Sequence, residues 1–301
     1  MPLPPMREPI SGLRWLKSTL FGLCIAAVLF DVLLFVNGIQ MSSLLVRPFS
    51  RAAFRRINRG CADFWWGLCV AAGRRAHGIG VVFTGDDVPV GENAMVVSNH
   101  QAMPDITFLM FLAKSKRRLG DMKYFVKKQL AWAPGVGWGM LFLDCIFVAR
   151  DWASDADTIR QTFARINDGK VPIWLISFSE GTRMTAGKLA AAQAFARERG
   201  LREPRHVLVP RPKGFSASIE GLRDHLDAVY DVTIGYVDAV PSLWKYARGL
   251  APCAHLHVRR YPIGELPEGS EDLAEWLRER FHEKDDLLEG YYQTGSFAEP
   301  S

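Results

Sequence analysis

The sequence predicts an α/β fold preceded by an N-terminal membrane helix or helical hairpin, and three observations carry that expectation. Residues 19–36 read TLFGLCIAAVLFDVLLFV, an apolar run whose character continues, diluted, to residue 46. From about residue 79, short β-branched runs alternate with helical stretches, the pattern of an α/β layer fold. The 301 residues are 49% hydrophobic and 23% charged, which supplies a sizeable core and excludes a disordered chain.

Eighteen residues at 1.5 Å rise give about 27 Å, just short of the hydrocarbon thickness of a bilayer. Asp31 opposes insertion by about 3 kcal/mol, whereas the twelve Leu, Ile, Val and Phe side chains of the run return about 4–7 kcal/mol. A straight crossing, a bend at Asp31 into a shallow hairpin returning through 39–46, and a pair of buried core helices are the alternatives. The run is long for a signal peptide, and no small-residue cleavage site follows before Arg47.

Arg47, Arg51, Arg55, Arg56 and Arg59 come next, then CADFWWGLCVAAG at 61–73, then Arg74 and Arg75. The aromatic stretch is too short to span and is expected in the headgroup layer, with Trp65 and Trp66 at the interface. Arg7, Arg14 and Lys17 precede the first run, so the charge bias leans towards a cytoplasmic face for the rest of the chain. In a bacterium this is the inner membrane. Net charge is +5, too small overall to imply nucleic acid, and the basic clusters abut apolar runs, as contacts to anionic lipid headgroups require. Five cysteines without a CxxC pair argue against a disulfide scaffold or zinc ribbon; Cys24, Cys61 and Cys69 read as inert apolar fillers. The division expected is 1–75 for membrane-anchoring helices and 76–301 for the α/β domain.

Candidate strands are 79–83, 94–98, 124–126, 146–148, 172–178, 207–209, 229–236 and 255–260; candidate helices are 104–113, 153–168, 188–199 and 218–227. A final helix starts at Ser270 as N-cap, with Leu273, Trp276, Leu277 and Phe281 as its apolar stripe. The charges along 271–284 read as its solvated face, and the tail after Tyr292 as frayed.

The strongest chemical signal is Asn99-His100-Gln101-Ala102-Met103-Pro104-Asp105, between a strand and a helix that Pro104 opens at its first position. On one continuous helix a five-residue separation puts two side chains about 140° apart, so His100 and Asp105 meet only across a strand-to-helix turn. There the carboxylate accepts from one imidazole nitrogen and fixes the tautomer, leaving the other as a base. A helix-capping Asp beside a structural His is the plainer alternative. A second signal is Phe178-Ser179-Glu180-Gly181-Thr182-Arg183, at the end of the apolar strand where α/β folds gather ligands. Gly181 permits a tight turn, Thr182 adds a hydroxyl, and Arg183 offers a fork for phosphate; an ordinary surface turn with a Glu–Arg pair is the alternative. A third is Val207-Leu208-Val209-Pro210-Arg211-Pro212-Lys213, with cations just past a candidate strand. Lys123, Lys127 and Lys128 precede the glycine run at 131–137, whose spacing does not fit a dinucleotide loop and which reads as a turn near the pocket or the membrane.

In this order, behind an N-terminal apolar segment, the motifs resemble the lysophospholipid acyltransferase family, and within it the 1-acylglycerol-3-phosphate acyltransferases, over about residues 79–236. The resemblance implies a glycerolipid acyltransferase-like mixed sheet flanked by helices. It implies transfer of a fatty acyl group from an acyl-CoA or acyl carrier protein thioester to a lysophospholipid hydroxyl in phospholipid synthesis or remodelling. No bound cofactor or metal is implied; the partners are membrane phospholipids, the lysophospholipid acceptor and the thioester donor. His100 would be the general base, Asp105 its orienting partner, and Glu180, Gly181, Thr182 and Arg183 the acceptor-binding turn. Phe147 and Arg150 fall on an additional substrate-binding strand and loop, and Lys128 and Lys213 are further candidate substrate contacts. Ala102, Pro104 and Ser179 depart from the family's usual residues in the same loops. A thioester is already activated, so a neutral histidine assisting hydroxyl attack suffices without a covalent intermediate; backbone amides of 101–105 are candidate oxyanion donors.

Two other classes compete. A lipid hydrolase needs a serine nucleophile, but the chain lacks a G-x-S-x-G elbow, and Ser98 and Ser179 are the serines near the motifs. A non-catalytic membrane-associated scaffold of the same fold is the other. His255 and His257 alternate on one strand face, with a structural role favoured over a metal site for lack of a third ligand; Asp144 and Cys145 read as packing or capping a turn.

Overall fold

The run AMVVS is buried at all five positions, which a strand achieves only with layers on both faces. This computed structural model describes residues 3–149, 152–237, 239–251 and 253–297. Its strands are β1 (Val81–Gly85), β2 (Ala94–Ser98), β3 (Met122–Lys127), β4 (Ile146–Val148), β5 (Trp174–Ser177), β6 (Ala228–Tyr236) and β7 (Ala254–Pro262). They form one sheet in the order β1-β7-β6-β2-β5-β3-β4. β6, β2, β5, β3 and β4 run parallel; β7 is antiparallel to β6, with β1 parallel to β7, so the sheet is mixed. The five parallel strands therefore deliver their C-terminal ends, and the loops that follow, to one edge.

The helices are α1 (Gly12–Ser42), α2 (Arg51–Ala71), α3 (Pro104–Ser115), α4 (Val136–Leu141), α5 (Trp152–Asp168), α6 (Ala186–Glu198), α7 (Pro212–Leu222), α8 (Leu243–Ala247) and α9 (Ser270–Thr294). Period-two alternation along the strands divides the core. Ala94 and Val96 meet Trp66 of α2 and Phe108 of α3 on one face, while Met95 and Val97 meet Phe163 of α5, Phe215 of α7 and Leu277 of α9 on the other.

The N-terminal hairpin forms, but not where Asp31 suggested. α1 runs unbroken through Asp31, which is exposed, and the chain reverses at 43–50, where the Ser50 hydroxyl accepts from the Ala53 amide at 3.1 Å to cap α2. The Trp65 indole donates to the Leu29 carbonyl at 2.9 Å, and Trp66 is buried edge-on to Tyr124. Trp66 is therefore not free to sit among headgroups as expected, whereas Trp65 stays half-buried. The reason is a stripe of Asn58, Ala62, Trp66 and Val70, spaced by four and buried, that begins upstream of the aromatic run. Two of the arginines are held by carboxylates of the α/β domain: Arg59 pairs with Asp121 at 2.6 Å and Arg55 with Asp144 at 3.3 Å.

Five further expectations are corrected. Residues 207–209 form no strand; Val207 and Leu208 are buried in irregular backbone, and Asp285 takes the Arg205 and His206 amides at 2.9 and 2.6 Å where a neighbouring strand would have been needed. The helix expected at 218–227 starts at Pro212, whose missing N–H suits a first helical position, and ends at Leu222. α9 has Gly269 rather than Ser270 as its N-cap, and it continues to Thr294. There Gly295 takes φ +78° and Phe297 is buried on Tyr291 at 4.5 Å, so the tail is anchored as far as 297. Within the charged run of α9, Lys284 and Asp285 are buried rather than solvated.

Lys284 pairs with Asp231 of β6 and donates to the Val232 carbonyl at 3.0 Å. Burial pulls its ammonium below the ordinary lysine range and Asp231 opposes the shift. Lys284→Met is expected to destabilise the protein by about 3–5 kcal/mol, because a buried carboxylate loses its partner. Adding Asp231→Leu should recover most of the loss in denaturant melts; a single variant as stable as the parent refutes this account.

Candidate active site

Where β2 ends, the Asn99 side chain bonds the Ile234 amide and carbonyl of β6 at 2.8 and 3.0 Å, bridging the two strands past Ser98. The chain then turns at 100–103, and Asp105 lies in the first turn of α3. Its carboxylate is wholly buried and accepts from His100 Nδ1 at 2.8 Å, the Gln101 amide at 2.7 Å, the Ala102 amide at 2.8 Å and the Tyr236 hydroxyl. Four donors converging on one carboxyl is the pattern an anion takes. The His100 ring stacks on Phe178 with centroids 4.0 Å apart and keeps 12% of its side chain exposed, so Nε2 is the edge left for a substrate. The capping amides explain why the separation works: Asp105 closes the loop that carries His100.

The Gly181 turn is held against the same loop. The Met184 amide donates to the His100 carbonyl at 2.8 Å, and Gly181 has φ +71°, a conformation that favours glycine. Glu180 differs from the expectation of a substrate contact: it is buried, and its Oε1 accepts from the His100 amide at 3.3 Å. Burial pushes its carboxyl well above the usual range, against the lowering effect of that amide bond. It makes no surface pair with Arg183, which is exposed and forms no ion pair among the described residues. Thr182 and the Arg183 carbonyl both accept from Lys188 of α6. Arg211 lies over Gly181 so closely that a Cβ there would sit 3.1 Å from its Cδ.

Thus His100, Asp105, Glu180, Gly181, Thr182 and Arg183 come together. Lys128 and Lys213 are exposed and make no bond to this cluster among the described residues; Lys128 follows β3, two strands from β2, and Lys213 lies in the first turn of α7. Arg150 lies outside the described residues, and Phe147 sits on the edge strand β4, packed on the core. Of the amides at 101–105, those of Gln101 and Ala102 point at the carboxylate and that of Asp105 at the Ala102 carbonyl, so they are not free oxyanion donors; Pro104 has none, which leaves Met103. The residues sequence reasoning missed are Tyr236, Phe178, Arg211, Lys188 and the Gln101 side chain, which donates to the Ile234 carbonyl and the Tyr292 hydroxyl. Phe178 adjoins the acidic turn and Arg211 the basic run, so both were within reach; nothing local marks Tyr236 or Tyr292. Away from the site, His257 bonds Thr84 at 3.1 Å, His255 packs on Tyr291, and burial pushes the Cys145 thiol up to about 11.

A family model described as Acyltransferase matches residues 80–207, and one described as Acyltransferase C-terminus matches 248–301. The chain is 33% identical over 278 residues to 1-acyl-sn-glycerol-3-phosphate acyltransferase 2 of Brassica oleracea, covering 88% of this chain and 71% of that one. It is 35% identical to 1-acyl-sn-glycerol-3-phosphate acyltransferase 3 of Arabidopsis thaliana, over 88% of this chain and 73% of that one. To 1-acyl-sn-glycerol-3-phosphate acyltransferase delta of Homo sapiens it is 33% identical, over 88% and 72%. The fold is shared with the crystal structure of the 1-acyl-sn-glycerophosphate (LPA) acyltransferase, PlsC, from Thermotoga maritima, at TM-score 0.54 and 19% identity, covering 92% of this chain and 98% of that chain. Fold and relatives together define an O-acyltransferase. The chain belongs to the 1-acyl-sn-glycerol-3-phosphate acyltransferase family.

Because Glu180 stays protonated in the fold to a higher pH than in the unfolded chain, its contribution is fully present below the ordinary value of 4.5 and declines as pH rises towards its folded-state value. Glu180→Gln, which does not titrate, is expected to flatten the fall in melting temperature from pH 4.5 upward. Parallel pH profiles for the two proteins count against a neutral Glu180.

Proposed function

We propose that the protein transfers a fatty acyl group from an acyl-CoA or acyl carrier protein thioester to the free hydroxyl of 1-acylglycerol-3-phosphate. The observation that carries this reading is the 2.8 Å contact between His100 Nδ1 and Asp105, which leaves Nε2 as the free ring nitrogen in a loop bonded to the turn that carries the exposed Arg183. Nε2 takes the hydroxyl proton as the oxygen attacks the thioester carbonyl. The tetrahedral intermediate expels the thiolate, and the imidazolium returns the proton to give the free thiol. Arg183, with Arg211 and Lys188 near the same turn, binds the acceptor's phosphate, and the Met103 amide is the proposed oxyanion donor. Glu180 acts by positioning the His100 loop. A hydrolase is disfavoured because the Ser98 hydroxyl is buried on the Asn99 carbonyl and that of Ser179 on Ser177, and neither is bonded to the imidazole among the described residues.

Residues 1–75 are proposed to anchor the chain to a membrane, with the α/β domain 76–301 on its cytoplasmic side. α1 is long and apolar enough to cross a bilayer. Yet it touches the protein from Trp15, under Arg248, through Phe21 against His77 to Gln40 beside Gly139. Those 26 residues make about 39 Å of helix held along the domain, which supports a helix lying half-immersed in one leaflet.

His100→Ala is expected to lower kcat/KM by about 10²–10⁴-fold, the usual worth of base assistance, with the melting temperature and membrane binding retained. Arg183→Ala is expected to raise the acceptor KM by about tenfold or more while leaving that of the thioester unchanged. The assay is thioester consumption on adding lysolipid, with products read by mass. Undiminished transfer by folded His100→Ala rejects the mechanism, and equal effects on both substrates reject the phosphate role.

A further inference from the structure

Among the described residues, one apolar and exposed patch outside the N-terminal helices is concentrated in a single short segment. Following β3, the segment 128–142 forms a 3-10 turn and α4, and it turns Leu130, Trp132, Val136, Trp138 and Leu141 outward, Trp132 being 84% exposed. Large apolar residues so close together on a soluble surface mark a contact site.

The inner side of this segment is fitted to α1. A Cβ at Gly135, which has φ +80°, would sit 2.9 Å from Leu33, and one at Gly139 would sit 3.5 Å from both Asn37 and Gln40. The glycine run thus serves close approach to the apolar helix. At the same end of the hairpin, Phe35, Leu45 and Phe49 are 71–89% exposed, so the two surfaces adjoin. Lys127 and Lys128 are exposed immediately before the segment.

We propose that residues 130–141 form a second membrane-contact element, a platform that enters the headgroup layer of a bilayer beside α1. The occupant is a lipid surface for two reasons. The patch continues the outward apolar side of α1, and its pairing of indole rings with flanking lysines suits an interface containing anionic phospholipid. The segment starts at the edge of the sheet that carries His100, and β3 stands two strands, about 10 Å, from β2. A bilayer docked there presents an acceptor's headgroup to the Arg183 turn without withdrawing its acyl chain from the lipid. The inference rests on the membrane-anchoring reading of α1, and the test separates the two.

The experiment uses the full chain in a Cys24→Ala, Cys253→Ala background carrying Trp132→Cys, Phe35→Cys or Glu271→Cys. Each is labelled with an environment-sensitive fluorophore and added to vesicles of phosphatidylcholine with phosphatidylglycerol, with brominated acyl chains as quencher. Quenching at 35 and 132, several-fold above that at the remote exposed 271, is expected. Quenching at 35 with none at 132 overturns the platform and leaves the anchor standing; none at 35 overturns the anchoring reading and the platform with it. In parallel, Trp132→Ser with Leu141→Ser should raise KM about tenfold for a long-chain lysolipid acceptor embedded in vesicles, while kinetics with a short-chain soluble lysolipid stay unchanged. Equal loss on both acceptors overturns the proposal.

Discussion

The site depends on one buried carboxylate. Asp105 sits at the start of α3 with no exposure, and a lone anion there carries a large desolvation cost. Four donors offset it: the His100 imidazole, the two amides that follow His100, and the Tyr236 hydroxyl at the end of β6. Those contacts tie together the end of one strand, the beginning of a helix and the end of a neighbouring strand. The imidazole is therefore oriented by the same interaction that closes its loop, and Phe178 stacked on the ring removes the remaining freedom.

Around this centre the charges are sorted by depth. Glu180 lies beneath the His100 loop, where burial keeps its carboxyl neutral well above the pH at which it would ordinarily ionise. Lys284 and Asp231 form a paired layer below, joining α9 to β6. Arg183 and Arg211 stay at the surface, with Lys188 of α6 bonded to the Arg183 carbonyl. The mouth of the site thus faces outward with positive charge while its negative groups are buried and bonded, an arrangement suited to an anionic headgroup. α9 also reaches the His100 loop through Tyr292 and Gln101, so the C-terminal helix holds the candidate site from a segment far away in sequence.

The N-terminal helices are not an appendage. α2 contributes Trp66 and Val70 to the same core as Phe108 and Tyr236, and α1 is bonded along its length to α2, α4 and the region around Arg248. An apolar outer side combined with a fitted inner side sets the domain at a fixed attitude to whatever α1 dissolves in. That rigidity is useful to an enzyme whose acceptor has one end in lipid.

Much of this was legible in the chain. The strand AMVVS, the Pro104 helix start and the His100–Asp105 loop follow from local rules of periodicity, capping and turn chemistry, and they are where those rules place them. The acidic turn was legible as a motif, but Glu180 and Arg183, three residues apart in sequence, end on opposite sides of the surface. Depth is set by what packs above a residue, and sequence spacing does not carry that. The same reason hid Trp66 and Lys284 in runs that read as interfacial and solvated, because each faces a partner more than fifty residues away. Sequence alone determined most of the elements, the imidazole–carboxylate pair and the family. Only the tertiary structure decided which charges are buried, that Tyr236 and Phe178 complete the site, and that a glycine-rich turn lies against the apolar helix, since each requires segments distant in the chain to meet.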